Sequence, residues 1–369
     1  MNYIDARKFG AVGDGKTDDT EAIQAAIDEG AKTGTAVFLA GGVYLTGTLK
    51  MRAHSALCAE PVWCYRGEQK GAIIRLNDPK AKCHVDLKDA FGATLNGIVF
   101  DGFDLGEGIH GLMLDQHDYN YKEENYRFER CKIQNYSGNG VHLNCIWVYS
   151  MRFCMIFENK GHGIYTNGWD IFLVDNWLSG NGGAAYYADI TTAKLTFTAN
   201  RVEWNQLGGL VFKGGDKSNI TGNCFDHNFG PGILFSGDTG IRPDSGLTIT
   251  GNVFERNGAA EVHDDPYCGS HVYLKNQSGV SMVGNMFKSG LDDFSNGHIK
   301  PAYGIVHKDM KYSVIANNTM HWGALKELIV NLGGEEELIC KDNPGNLYSP
   351  EQHAHIENLS ITSDDKQLE

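Results

Sequence analysis

The feature that most constrains this chain is a repeat. Asparagines recur at Asn135, Asn159, Asn181, Asn205, Asn228 and Asn257, 22 to 29 residues apart, in the phrases NYSGNGV, NKGHGI, NGGAAY, NQLGGL, NFGPGI and NGAAEV. Each phrase except the last leads directly into a short alternating strand, at 141–144, 164–167, 186–189, 210–213 and 233–236. A second register places Asn200, Asn223, Asn252 and Asn285 in FTANRV, ITGNCF, ITGNVF and MVGNMF. A unit this short, with two or three strands and no helix, cannot bury an apolar face alone, so successive units must stack as an all-β solenoid. Stacking brings equivalent residues within one strand spacing, ~4.8 Å. Asparagine is expected at the bends because it tolerates the left-handed conformation, and its stacked amides can bond from coil to coil. Leucine-rich, propeller and helical-pair consensus patterns are absent.

The start of the chain obeys different rules. Phe9 to Thr20 reads FGAVGDGKTDDT and runs into Ala22, Ile23, Ala26 and Ile27, the apolar period of an amphipathic helix. Asp18 and Glu21 have capping-box spacing, and Gly30 is the expected stop. With the strand at 36–39 and the turn Gly41-Gly42, this helix would cover the open end of the solenoid, where unpaired strand edges invite aggregation. The opening resembles the N-terminal signature of the pectate-lyase-like superfamily. With the repeats, that resemblance implies a right-handed parallel β-helix spanning 1–345, its cap reaching to about residue 45, followed by a C-terminal extension at 346–369.

Composition narrows the partners. The 46 glycines, with 8 prolines and no collagen period, point to many tight turns. A net charge of −14 argues against nucleic acid or an anionic membrane as partner, and favours a neutral over a polyanionic glycan. Met1 to Asp5 lacks a signal-type segment, so the chain as written is expected to be cytoplasmic, or secreted if its beginning has been cut away. Nine cysteines without CxxC pairing are expected to be reduced, buried structural thiols.

A filled solenoid leaves chemistry to its outer face and to the loops that interrupt the repeat, here 101–126, 237–246, 261–270 and 289–303. Taking the second and fourth strand positions as outward gives one column through His142, Tyr165, Tyr187 and Tyr273 and another through Asn144, Asn167, Asp189, Lys213, Lys275 and Lys308. Aromatic residues, Trp169 and Trp147 among them, are expected to offer flat faces to sugar rings, while amides, carboxylates and lysines meet hydroxyls. Arg242, His271, His298 and His307 lie in or beside the interruptions. Glycoside cleavage usually needs two carboxyls. Asp189, expected to pair with Lys213, and the doublets Asp264-Asp265 and Asp292-Asp293 are the candidates, the crowded doublets suiting a general acid.

The expected function is therefore a glycoside hydrolase or transglycosylase acting on a neutral oligo- or polysaccharide. It needs no cofactor and no metal. Polygalacturonases of the superfamily carry Asn-Thr-Asp, Asp-Asp, Gly-His-Gly and Arg-Ile-Lys in that order, a set this chain lacks, and Gly161-His162-Gly163 reads as turn chemistry. Gly290 to Asp293 followed by Tyr303 to His307 is similar to a stretch of the inulin fructotransferase family, which implies a fructan substrate and a homotrimer. Two alternatives stand beside this: a uronate lyase, which would add Ca²⁺ and use the lysine column, and a non-catalytic glycan-binding or structural solenoid.

Overall fold

The computed structural model describes residues 3–65, 69–119, 122–237, 244–258, 264–290 and 300–351. Strands pair in parallel between successive coils, in one sheet of 22 strands and another of 11. This is the right-handed parallel β-helix expected from the repeat. The larger sheet folds into two faces because strands such as Val141–Arg152 turn a corner in mid-run. Register shifts there between Asn144 and Ile146, with Cys145 and Val148 at φ 58° and 68°. The half holding His142 is the front face, the half holding Tyr149 the side face, and the 11-stranded sheet the back face. Alternation sends Val141, Ile164, Tyr186, Leu210 and Ile233 inward, where they are fully buried. Back-face rings stack at the coil spacing, Phe225 on Phe254 at 4.9 Å and Phe254 on Phe287 at 4.8 Å.

Two asparagine ladders fix the register. In the first, Asn159, Asn181, Asn205 and Asn228 each donate from Nδ2 to Oδ1 of the next, ending at Asn257, over 2.8 to 2.9 Å. The second runs from Asn176 through Asn200, Asn223, Asn252, Asn285 and Asn318 to Asn343. Each Oδ1 also accepts the main-chain N–H of the preceding rung, and Nδ2 reaches a carbonyl of an earlier coil, as Asn223 does to Phe197. Buried amides therefore satisfy one another without water.

Two expectations need correction here. The ladder asparagines are not the left-handed residues; those immediately precede them, at Glu158, Gly180, Trp204 and His227. The left-handed residue turns the chain through the corner and aims the next side chain inward. Asn135 is likewise off the ladder, holding the left-handed position with φ 58°. Tyr136 takes the rung, accepts nothing from a neighbouring amide, and instead meets buried His84 Nδ1 through its hydroxyl at 2.6 Å. Upstream of Asn176, cysteine replaces the amide. Cys154 Sγ accepts the Cys131 N–H at 3.4 Å and donates to Phe128 O at 3.4 Å, as an asparagine would. All nine cysteines are free; five are buried, but Cys64 and Cys340 are exposed, contrary to expectation.

The cap also differs in detail. Helix α1 spans Thr20–Thr33 and stops at left-handed Gly34, four residues past the expected Gly30, which stays inside the helix close against Val37. No capping box forms. Asp18 accepts the Thr20 N–H at 2.9 Å, while buried Asp19 reaches back to the N–H groups of Val12 and Gly13 at 2.6 and 3.1 Å. Those bonds close the loop that the opening signature encodes.

A strap unforeseen in the repeat lies over the back face. Between the strands Ala56–Cys58 and Ala72–Leu76, Trp63 donates to Arg130 O at 2.7 Å, and Tyr65 stacks on Trp177 at 4.2 Å with its hydroxyl 3.3 Å from Ser179 Oγ. The buried Lys132 ammonium pins the strap by donating to the carbonyls of Cys64 and Tyr65 at 3.1 and 2.8 Å. Among the described residues no helix is long and apolar enough to cross a membrane.

Removing one rung strands several buried groups. Asn223→Ala leaves the Asn200 amide and N–H without their acceptor and Phe197 O without its donor. At ~1–3 kcal/mol per stranded group, the loss should reach about 3 kcal/mol. Urea unfolding should show it against exposed Lys326→Ala, which should leave the midpoint unchanged.

Candidate active site on the front face

Register assembles the first outward column as Met113, His142, Tyr165, Tyr187, Val211, Leu234 and Tyr273. The strand spacing is close to the thickness of a stacked ring pair, so the side chains stack on one another. His142 lies on Tyr165 at 4.5 Å and 7°, Tyr165 faces Tyr187 at 5.8 Å and 12°, and the Lys213 ammonium covers Tyr187 at 5.6 Å. This corrects the expected sugar platform: the flat faces of the column are spent on each other, and its polar edges are what meet solvent. Trp169 is also covered on one side, by Tyr119 at 4.1 Å, with Trp147 edge-on at 6.4 Å.

The second column continues Asp115, Asn144, Asn167, Asp189, Lys213, Ser236, Lys275 and Lys308. Asn167 donates to Asn144 Oδ1 at 3.0 Å, Asn144 to Asp115 and to Gln116 O, and Asn167 Oδ1 accepts from Thr191. These two amides stitch the face to the 115–124 loop. Asp189 is held by Tyr165, whose hydroxyl donates at 2.6 Å, and by the Ile190 N–H at 2.8 Å. Its expected partner, Lys213, is engaged by Tyr187 instead. Burial and the neighbouring Asp189 carboxylate push the Tyr165 hydroxyl well above the usual phenol range, so it remains a donor.

Farther along, a cavity of about 200 Å³ is lined by Ser236, Asp264, Asp265, Cys268, Tyr273 and Lys275. Asp265 is occupied: it caps the short helix Pro266–Cys268 through the Tyr267 N–H and accepts from Tyr273 at 3.2 Å. Tyr273 is only 5% exposed, packed with Leu234, Cys268 and Val306. Asp264 is exposed and carries no such commitment among the described contacts.

Two predicted contacts lie on the wrong side of the sheet. His307 pairs with Leu274 in the inward third position and is 2% exposed, and His271 is fully buried between Phe254 and Phe287 in a position that neighbouring coils give to glycine or alanine. Neither presents its ring on the outward face of the sheet. Arg242, Asp292, Asp293 and His298 lie outside the described residues. Among the described residues no cluster of His, Cys, Asp or Glu is placed to hold a metal ion.

The structure adds residues that sequence reasoning passed over. His110 stacks on His142 at 4.4 Å, and His162 stacks on Tyr187 at 4.5 Å. Gly161-His162-Gly163 thus contributes both a turn and a ring. Asp115, held by Lys82 at 2.7 Å, extends the second column into the first interruption. The signal for His110 and His162 was their position three residues before an outward strand residue, Met113 and Tyr165.

The strand register defines a right-handed parallel β-helix. The chain belongs to the right-handed β-helix family: the profile described as "Right handed beta helix region" matches residues 110–320, and one described as "Rhamnogalacturonase A/epimerase, pectate lyase-like" matches 3–63. It is 25% identical over 283 residues to a capsule K30/K69-specific depolymerase of Klebsiella phage K64-1, covering 69% of this chain and 34% of that protein. It is 42% identical over 129 residues to a glucan 1,3-beta-glucosidase of Cochliobolus carbonum, covering 31% and 16%. The chain therefore spans about a third and about a sixth of these two relatives. In fold it is similar to a mannuronan C-5 epimerase A-module of Azotobacter vinelandii (TM-score 0.61, 16% identity, 94% of this chain and 100% of that one). It is also similar to the DFA-IIIase of Arthrobacter chlorophenolicus A6 (0.62, 15%, 92% and 94%) and to the surface adhesin PfbA of Streptococcus pneumoniae (0.62, 14%, 94% and 93%).

Burial lowers four histidines, His84 and His271 to about 3 and His110 and His162 to about 4, whereas the unfolded chain protonates them near 6.5. The unfolded state thus binds more protons between these values. Their stabilisation is full above pH 6.5 and is lost as pH falls through about 4 for His110 and His162 and about 3 for His84 and His271. Urea unfolding from pH 7 to 4.5 should show stability falling by more than one proton's worth, about 1.4 kcal/mol per pH unit. A flat profile would contradict these environments.

Proposed function

We propose that this protein is a glycan-cleaving enzyme, a hydrolase or transglycosylase acting on a neutral oligo- or polysaccharide, with Asp189 and Asp264 as its carboxyl pair. The observation that carries this reading is the front-face register. Ser236, which lines the cavity with Asp264, lies two coils from Asp189, ~9.6 Å at the usual strand spacing. A carboxyl pair reaching towards each other across that interval suits water attack with inversion, which uses separations of ~6.5–9.5 Å. Asp189, oriented through both oxygens, is assigned as base, and Asp264, beside Ser236 and Lys275, as acid. Lys213 and the edges of Tyr165 and Tyr187 would bind the sugar between them. The depolymerase and glucosidase names of the partial relatives agree with a glycan substrate.

The test is product analysis with a panel that includes laminari- and inulo-oligosaccharides. Cleavage of one member with inverted anomeric configuration is expected, and Asp189→Asn and Asp264→Asn should each lower kcat at least ~100-fold. If no neutral glycan is cleaved while a uronate polymer yields an ultraviolet-absorbing unsaturated product, the lysine column Lys213, Lys275 and Lys308 would mark a lyase instead. The resemblance to the inulin fructotransferase family adds a homotrimer to the proposal, for which light scattering should give three times 40.6 kDa.

A further inference from the structure

Asn139 touches three histidines of the front face. Its main-chain N–H donates to His110 Nδ1 at 2.9 Å. Its side-chain oxygen accepts the His162 N–H at 2.8 Å, and its side-chain nitrogen lies 3.0 Å from His142 Nδ1. A main-chain N–H can only donate, so His110 Nδ1 is an acceptor and the ring proton sits on Nε2. The same logic holds for His162, whose Nδ1 accepts the Ala184 N–H at 3.0 Å. For His142 the argument takes one more step. Because the Asn139 oxygen is claimed by a main-chain donor, the atom facing His142 is the NH₂ group, which can only donate, so His142 Nδ1 also accepts.

We propose that Asn139, with the Ala184 N–H, is the positioning device that holds His110, His142 and His162 as uncharged Nε2–H donors, and that this row reads hydroxyl and ring oxygens of a neutral glycan. None of the three Nε2 atoms is sealed from solvent without a partner. Glycine makes the arrangement sterically feasible: a Cβ at Gly138 would lie 2.7 Å from His110 Nδ1, and one at Gly183 2.5 Å from His162 Nδ1. A second proton on any ring would oppose an N–H donor already in place. The rings therefore offer donors without charge, which favours polarised but uncharged oxygens over carboxylates; an anionic sugar would be better matched by arginine or lysine. The ligand class rests on the glycan reading above, whereas the tautomers stand on hydrogen-bond geometry alone.

Nitrogen-15 NMR of the histidine-labelled full chain at pH 7 separates the two parts. All three rings should appear as neutral Nε2–H tautomers. Asn139→Asp replaces the NH₂ donor by an acceptor, so His142 should convert to Nδ1–H or to imidazolium, while His110 and His162, held by main-chain donors, keep theirs. A merely structural role for Asn139 would not produce this selective change. Binding is then read in the Asp189→Asn background with laminarihexaose and an inulin-type hexasaccharide. His142→Leu should weaken the bound sugar about tenfold and His142→Gln, which restores an N–H, should recover most of that loss. Wild-type His142 found as Nδ1–H or imidazolium overturns the donor row. Correct tautomers with equal binding by the Leu and Gln variants, or with no binding of either sugar, overturn the ligand assignment while the tautomers stand.

Discussion

The rest of the molecule depends on the side-chain hydrogen bond that passes from one coil to the next. An amide at Asn181 donates to Asn205 and its main chain does the same, so two coils can meet in one register only. A slip by one residue would turn every interior side chain to solvent and leave each rung unpaired. Because the rungs sit at the corners, they fix the strands between the corners without using any outward position. The front face is thereby free to carry residues chosen for chemistry, and residues more than 20 positions apart, such as Tyr165 and Asp189, meet at hydrogen-bond distance.

How much of this could be read beforehand depends on whether a position admits one residue type or many. The ladder rungs admit almost only asparagine, because a rung must donate twice and accept twice, and they disclose both the stacking and its period. The left-handed corners before them admit Glu158, Ala199, Trp204 and glycine alike, so they leave no trace in the sequence. The exceptions mislead in a physically sensible way. Tyr136 fills a rung because His84 supplies a partner from inside, and its neighbour Asn135 then looks like the rung. His307 was within reach of the alternation rule, since the third position of its strand points inward. The burial of His271 was harder to foresee, because it occupies a strand position that other coils leave to glycine or alanine.

The stacked rings show why outward aromatic residues do not by themselves make a sugar platform. Parallel strands repeat at a distance that suits ring-on-ring contact, so a continuous column consumes its own faces, as His142 and Tyr165 do. What remains is a row of edges, and edges speak in hydrogen bonds. The same fold serves an epimerase module, a DFA-IIIase and an adhesin. Such breadth means that the fold does not choose the chemistry. The chemistry must be read instead from the side chains that the register brings onto one face of this chain, Asp189 and the imidazoles of His110, His142 and His162 among them.

The strap over the back face changes how the molecule can come apart. In a solenoid each coil touches only its neighbours, and an end can peel away one turn at a time. Here Tyr65 reaches Ser179, a contact across 114 positions that skips the intervening coils, and Lys132 clamps the same segment midway. Fraying from the helix-capped end must therefore break that clasp before the second coil can leave. The coils from the cap to Ser179 are thereby tied into one unit, whereas farther along the chain the Lys300 ammonium over the Phe229 ring, 4.3 Å away, skips a single coil, so an end released there has less to break before it unravels.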